Sequence, residues 1–205
     1  MGQHRGTLPG NQGEGVLIRR IFLTAGLGLA TLPVAAGAAL AQFDTMTLKP
    51  IVKAVREGDE EKVRASLLKG ESPNQIDASG QPLLMVAVTN GQVAVVETLL
   101  KGGAQPDMPD KEGYTSLIRA AEIGDDLMVD MLLAKNARAD AQTRQGATAL
   151  MVAARLGHAG AVRALLAKKA DPNRTDFTGR TALTYARQSG RTSIEAMLRK
   201  AGARE

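Results

Sequence analysis

Apolar residues recur along the chain at a fixed interval of 33 residues. Leu84, Leu117, Leu150 and Leu183 stand in phase, and Ile51 holds the matching place one interval earlier. The same interval separates the alanines at 54, 87, 120, 153 and 186 and the leucines at 67, 100, 133 and 166. It also separates two series of glycines, one at 80, 113, 146 and 179 and the other at 58, 91, 124, 157 and 190. So many columns in one register indicate an internally repeated structural unit.

The stretch that begins at Thr148 shows what one unit forms. Thr148 is predicted to cap a helix, because apolar residues follow it with helical spacing. Gly157 is predicted to end that helix, since a left-handed residue after a helix is least costly as glycine. A second helix is predicted to place Val162 and Leu165 on one face, and Pro172 prevents its continuation.

One such helix pair cannot bury its own apolar face, so stability requires at least three stacked units. The period and the predicted elements resemble ankyrin repeats. The sequence segments that carry the resemblance are "GQPLLMVAVTNGQVAVVETLLKGGAQPD", "GYTSLIRAAEIGDDLMVDMLLAKNARAD", "GATALMVAARLGHAGAVRALLAKKADPN" and "GRTALTYARQSGRTSIEAMLRKAGA". The expected fold is therefore an all-α repeat solenoid, with a β-turn or hairpin and two antiparallel helices per 33-residue unit.

The resemblance covers about residues 44–205, and it implies five units within a repeat domain of residues 42–205. Their expected bounds are 43–75, 76–109, 110–142, 143–175 and 176–205, with the first and last acting as caps. Arg199 replaces the leucine of the other units, which gives the last helix a polar outer face. The family's Thr-Pro-Leu-His motif has lost its histidine in every unit, so the hydrogen bonds that it would make between repeats are expected to be replaced by apolar packing or lost.

Residues 1–41 are predicted to be an export signal rather than a region of the fold. Arg19 and Arg20 precede an uncharged run, which ends in small residues at Ala39 and Ala41 that suit signal peptidase. Cleavage there would start the mature chain at Gln42. "RRIFL" resembles the twin-arginine export signal, the general secretory route remains open, and about 20 apolar residues also suffice for an uncleaved membrane anchor.

Composition narrows the range of functions. The chain has no cysteine, which excludes disulfides, thiolate metal sites and cysteine nucleophiles. Its net charge of +5 is uneven: residues 42–142 carry 11 Lys or Arg against 16 Asp or Glu, whereas residues 143–205 carry 12 against 4. The basic end lacks interleaved aromatic residues, so nucleic acid is not an expected partner.

Residues for catalysis or metal binding are scarce in residues 42–205. His158 is the only histidine there and is predicted to have a structural role at the start of a second helix. Asp125 and Asp126 are predicted to stabilise a helix N-terminus. Paired nucleophiles, phosphate loops and metal-ligand sets are missing from the sequence pattern, so we expect neither an enzyme nor a cofactor.

The resemblance implies that another protein binds to the concave face, which consists of the hairpin tips and the exposed side of the first helix of each unit. The residues predicted to form the centre of this binding face are Tyr114, Arg144, Arg155, Phe177 and Arg180, because aromatic residues and arginine commonly dominate protein interfaces. Tyr114 and Phe177 are expected at exposed hairpin tips. The expected protein is a monomeric, periplasmic or secreted interaction module. The alternative is a scaffold anchored in the inner membrane, and membrane contact is otherwise expected only during export.

Overall fold

The computed structural model describes residues 49–204, which lie within one compact unit of the chain. This range contains ten α-helices and no β-sheet, only isolated bridges that join Ile76 to Pro82 and Gln142 to Thr148. The helices are α1 (Pro50–Glu57), α2 (Glu60–Leu68), α3 (Leu83–Thr89), α4 (Val93–Lys101), α5 (Ser116–Ile123), α6 (Asp126–Ala134), α7 (Ala149–Leu156), α8 (Ala159–Ala167), α9 (Ala182–Gln188) and α10 (Thr192–Lys200). The predicted all-α repeat solenoid is confirmed.

The helices form two layers that follow the order of the chain. Each odd-numbered helix packs against the next odd-numbered helix, and each even-numbered helix packs against the next even-numbered one. Each odd-numbered helix also packs against the even-numbered helix that follows it. The five helix pairs therefore stack one after another, and each inner pair has a neighbour on both sides.

The core consists of the columns that recur in the sequence. The column of Ile51, Leu84, Leu117, Leu150 and Leu183 is at most 2% exposed, and so are the alanines at 54, 87, 120, 153 and 186. Alanine has a short side chain, so neighbouring helices can approach closely at those positions. Arg199 is exposed at the end of the stack, as expected for a capping unit.

One side-chain oxygen closes each hairpin between an even-numbered helix and the next odd-numbered one. It accepts hydrogen bonds from two backbone N–H groups, two and four residues further along the chain. Asp77 Oδ1 accepts from Ser79 and Gln81, Asp110 Oδ1 from Glu112 and Tyr114, Thr143 Oγ1 from Gln145 and Ala147, and Asp176 Oδ1 from Thr178 and Arg180, at 2.8–3.3 Å. These bonds fix the turn locally, as aspartate and threonine commonly do.

A second series of side-chain oxygens joins each unit to the next; we call it the loop ladder. Asn74 Oδ1 accepts from the N–H of Gln105, Asp107 Oδ1 from Arg138, Asp140 Oδ1 from Asp171, and Asn173 Oδ1 from Arg204, at 2.7–2.9 Å. Every bond spans 31 residues. The loop ladder therefore sets the spacing of the stack at the loops, while the leucine and alanine columns set it in the core.

At two helix N-termini, the residue in the position of the missing histidine forms a hydrogen bond within its own unit. Met151 and Thr184 stand at the histidine column of their units. The Thr148 N–H donates to Met151 Sδ, and the Thr181 N–H donates to Thr184 Oγ1, both at 3.5 Å. Each threonine hydroxyl accepts a bond in return from the N–H three residues later. Thr148 thus caps α7 as predicted.

Gly124 ends α5 and lies against the next unit. Its φ of 80° is left-handed, and its N–H donates to the carbonyl oxygen of Ala120. The ring of His158 occupies the space that a Cβ at Gly124 would need. His158 Nε2 also lies 3.1 Å from the carbonyl oxygen of Glu122. The predicted structural role of His158 is confirmed, and Gly157 ends α7 with a φ of 92°, as predicted.

Gly91 provides a matched control for the contact between Gly124 and His158. Its φ is 70°, but no other atom lies within 4 Å of a Cβ built there. Gly91→Ala is expected to lower the free energy of unfolding by about 1 kcal/mol, through backbone strain alone. Gly124→Ala is expected to cost about 2 kcal/mol or more, because His158 must also move. Urea denaturation measures both losses, and equal losses would contradict the predicted steric contact.

Candidate protein-binding face

The five predicted binding residues lie on the surface formed by the hairpins and the odd-numbered helices, which is the predicted concave face, but not in equivalent environments. Arg144, Arg155, Arg180 and Phe177 are exposed. Phe177 is 77% exposed, and its N–H donates to the carbonyl oxygen of Gln145 in the neighbouring hairpin. Tyr114 is half-buried and packs against the core, so its predicted position at an exposed tip is wrong.

A groove of about 580 Å³ crosses this face; we call it the Tyr185 groove. Three of the predicted residues, Tyr114, Arg155 and Arg180, line it, whereas Arg144 and Phe177 do not. The remaining lining residues are Glu112, Gln145, Ala147, Met151, Val152, Tyr185, Gln188 and Ser189. The groove thus draws on α7, α9 and three successive hairpins, and it exists only because the units stack.

Tyr185 is fixed in this groove by the hairpin that precedes α9. Its hydroxyl donates a hydrogen bond to Asp176 Oδ2 at 2.6 Å. The guanidinium carbon of Arg180 lies 5.9 Å from the centre of the ring. The bond with Asp176, together with burial, raises the pKa of Tyr185 above its ordinary value. Tyr185 therefore presents a neutral aromatic ring in a defined orientation.

Asp176 connects the hairpin to Tyr185. Burial favours the protonated form of its carboxyl group, but this effect is outweighed by hydrogen bonds from the Tyr185 and Thr178 hydroxyls and from the backbone N–H groups of Arg180 and Thr178. Together these bonds lower the pKa of Asp176 to about 2. The carboxylate is therefore ionised at neutral pH, with its oxygens engaged inside the protein.

Arg119 contacts Tyr114, the other aromatic residue that lines the Tyr185 groove. Its guanidinium carbon lies 3.9 Å from the centre of the Tyr114 ring, which is a cation–π contact. The same guanidinium forms ion pairs with Asp110 at 3.2 Å and Glu122 at 2.8 Å. This cluster holds Tyr114 in place and explains why Tyr114 is half-buried.

Asp77, Asp110 and Glu122 form ion pairs within the protein, whereas several arginines do not. Arg56 pairs with Asp77 at 3.1 Å in the first units, just as Arg119 pairs with Asp110 and Glu122. By contrast, no carboxylate among residues 49–204 forms an ion pair with Arg144, Arg155 or Arg180.

The paired carboxylates at the start of α6 stabilise the helix. Asp125 Oδ1 accepts a hydrogen bond from the N–H of Met128 at 3.0 Å, and Asp126 lies in the first turn. Within the described region of the chain, no group of three or more potential metal ligands comes together. The predicted capping role of Asp125 is confirmed.

The predicted export signal lies outside the described residues, including Arg19, Arg20, Ala39 and Ala41. Across residues 49–204, none of the helices is both long enough and apolar enough to cross a bilayer.

Sequence reasoning missed three residues that shape this face: Arg119, Asp176 and Tyr185. A signal for Asp176 was present, because aspartate or threonine stands three residues before each hairpin glycine at 80, 113, 146 and 179. No periodic signal marks Arg119 or Tyr185, because their column also holds Lys53, Val86 and Val152. Their partners become evident only when the hairpin folds back onto the helix.

Comparison with known proteins agrees with the architecture. The family model described as ankyrin repeats (3 copies) matches residues 51–143 and 117–204. Together the two matches span most of the chain. A search of curated protein sequences found no match.

The pKa of Asp176 predicts a pH dependence of stability. Its folded value of about 2 lies below the ordinary 3.8, so its contribution is fully present above about pH 4 and is lost as the pH falls towards 2. The contribution is roughly 2 kcal/mol. Asp176→Asn has no carboxyl group to titrate at this position. Urea denaturation from pH 5 to pH 2 should therefore show the stability difference between wild type and this variant shrinking. A constant difference would contradict the assigned bonds.

Proposed function

Because the chain belongs to the ankyrin-repeat family, we propose that it is a non-enzymatic module that binds another protein through its concave face. Family membership supports protein binding in general. The Tyr185 groove supports the choice of face, since it combines fixed aromatic rings with arginines that form no ion pair within residues 49–204. Preordered aromatic and arginine side chains are the types that most often dominate protein interfaces.

The proposed place of action is the periplasm or an equivalent exported space. This proposal is supported by the arginine pair, apolar run and small-residue site within residues 1–41. A membrane-tethered scaffold is the second candidate, because the same apolar run has the length of a membrane span. In both cases the repeat domain would meet its partner outside the cytoplasm.

Alanine substitution tests the binding face. One variant replaces Tyr114, Arg144, Arg155, Phe177 and Arg180; a second leaves Tyr114 intact, because that residue packs against Arg119. The control replaces Leu127, which is 57% exposed in an apolar cleft on the even-numbered helices, with serine. Folding is checked by thermal unfolding, and partner capture from a periplasmic extract is quantified by mass spectrometry.

Both concave-face variants are expected to lose capture of partners that the wild type and the Leu127→Ser control retain. Loss in the control alone would place the interface on the even-numbered helices and contradict the proposal. The mass of the mature N-terminus tests the location: a chain that starts at Gln42 supports export with cleavage, whereas a membrane-bound chain that retains residues 1–41 supports the tethered scaffold.

A further inference from the structure

We infer that the partner segment seated in the Tyr185 groove is an acidic protein segment. The inference rests on the proposed function and adds the chemistry of the partner. It follows from the unequal pairing of charges in and around the groove.

Arg155 and Arg180 converge on the groove from successive units. Arg155 lies on α7 and Arg180 on the hairpin before α9, and both are exposed. Neither forms an ion pair with a carboxylate of the described residues, and Arg180 lies instead beside the ring of Tyr185. Guanidinium groups bind carboxylates through two parallel hydrogen bonds, so each of these side chains can bind one acidic residue of a partner.

Three carboxylates in the units that form the groove are engaged within the protein, whereas Glu112 forms no ion pair among the described residues. Asp176 accepts bonds from Tyr185 and from its own hairpin, and Arg119 pairs with both Asp110 and Glu122. Among the residues that the structure describes, Glu112 is the one acidic residue that lines the groove, against the two arginines. The lining is therefore net positive, and it lies partly in the C-terminal region of residues 143–205, which carries 12 basic and 4 acidic residues.

The floor of the groove favours a peptide over a purely ionic ligand. Tyr114 and Tyr185 provide partly exposed aromatic surface in the groove. Met151 and Val152 also line it but are only 1% and 4% exposed, and Gln145, Gln188 and Ser189 add neutral hydrogen-bonding groups. A segment with acidic residues around an apolar or aromatic side chain would match this arrangement. Burial of that side chain would also exclude water from the ion pairs, which are weak when fully exposed.

A random library of 16-residue displayed peptides, selected on the immobilised full chain, tests the inference. The charge-reversed variant is Arg155→Glu with Arg180→Glu. The matched control is Arg163→Glu with Arg174→Glu, two exposed arginines outside the groove. Both variants change the net charge equally, so long-range electrostatic attraction is balanced between them. Thermal unfolding confirms that each variant is folded.

Peptides selected on the wild type are expected to contain more Asp and Glu than the input library. Binding of a selected acidic peptide should weaken at least about tenfold in the groove variant and less than about threefold in the control. The groove variant should in turn select basic peptides. A 16-nucleotide single-stranded DNA should not displace the acidic peptide; displacement at equal concentration would point to nucleic acid and overturn the inference.

The remaining outcomes separate the inference from the proposed function. Peptides that lose binding in the concave-face alanine variants but show no acidic excess would overturn the inference alone. Peptides that still bind to those variants would overturn the inference and the choice of face together. Failure to enrich any peptide above an uncoated surface would also overturn the inference.

Discussion

Short helices that cannot bury their own apolar faces are the constraint on which this structure depends. The ten helices of residues 49–204 have only seven to nine residues each, a length at which an isolated helix is marginal in water. Each helix is therefore stabilised mainly by its neighbours. The leucine and alanine columns, the loop ladder and the contact between His158 and Gly124 all join one unit to the next.

Because the units stabilise one another, the residues that pack between units differ from the residues that are available for binding. Columns at the interfaces between units must repeat, because each unit presents the same surface to the next. The column of Arg119, Val152 and Tyr185 lies on the concave face and is free to vary. Arg119 engages two carboxylates, Val152 is 4% exposed where it lines the groove, and Tyr185 is held by Asp176. Specific recognition can therefore develop on a regular stack without disturbing its core.

The repeat architecture could be predicted from the sequence because the residues that pack between units recur every 33 positions. Leucine, alanine and glycine columns predicted the stacked helix pairs, and the chemistry of Thr148 and Gly157 predicted where one helix begins and ends; both are confirmed. The arrangement of the groove was not predictable in the same way. The contacts of Arg119 with Asp110 and of Tyr185 with Asp176 each join residues nine positions apart, across a turn between a hairpin and a helix. Local periodicity does not predict such pairs. It also does not predict the contact of Tyr114 with Arg119, and Tyr114 was therefore wrongly expected at an exposed tip.

Hydrogen exchange in a Leu150→Val variant tests the dependence of each unit on its neighbours most directly. Leu150 is 1% exposed in α7, which packs against both α5 and α9. The substitution should weaken the core by about 1 kcal/mol. If stability resides in the contacts between units, amide exchange will become faster in α5 and α9 as well as in α7. Faster exchange confined to residues 143–175 would contradict the interdependence of the units.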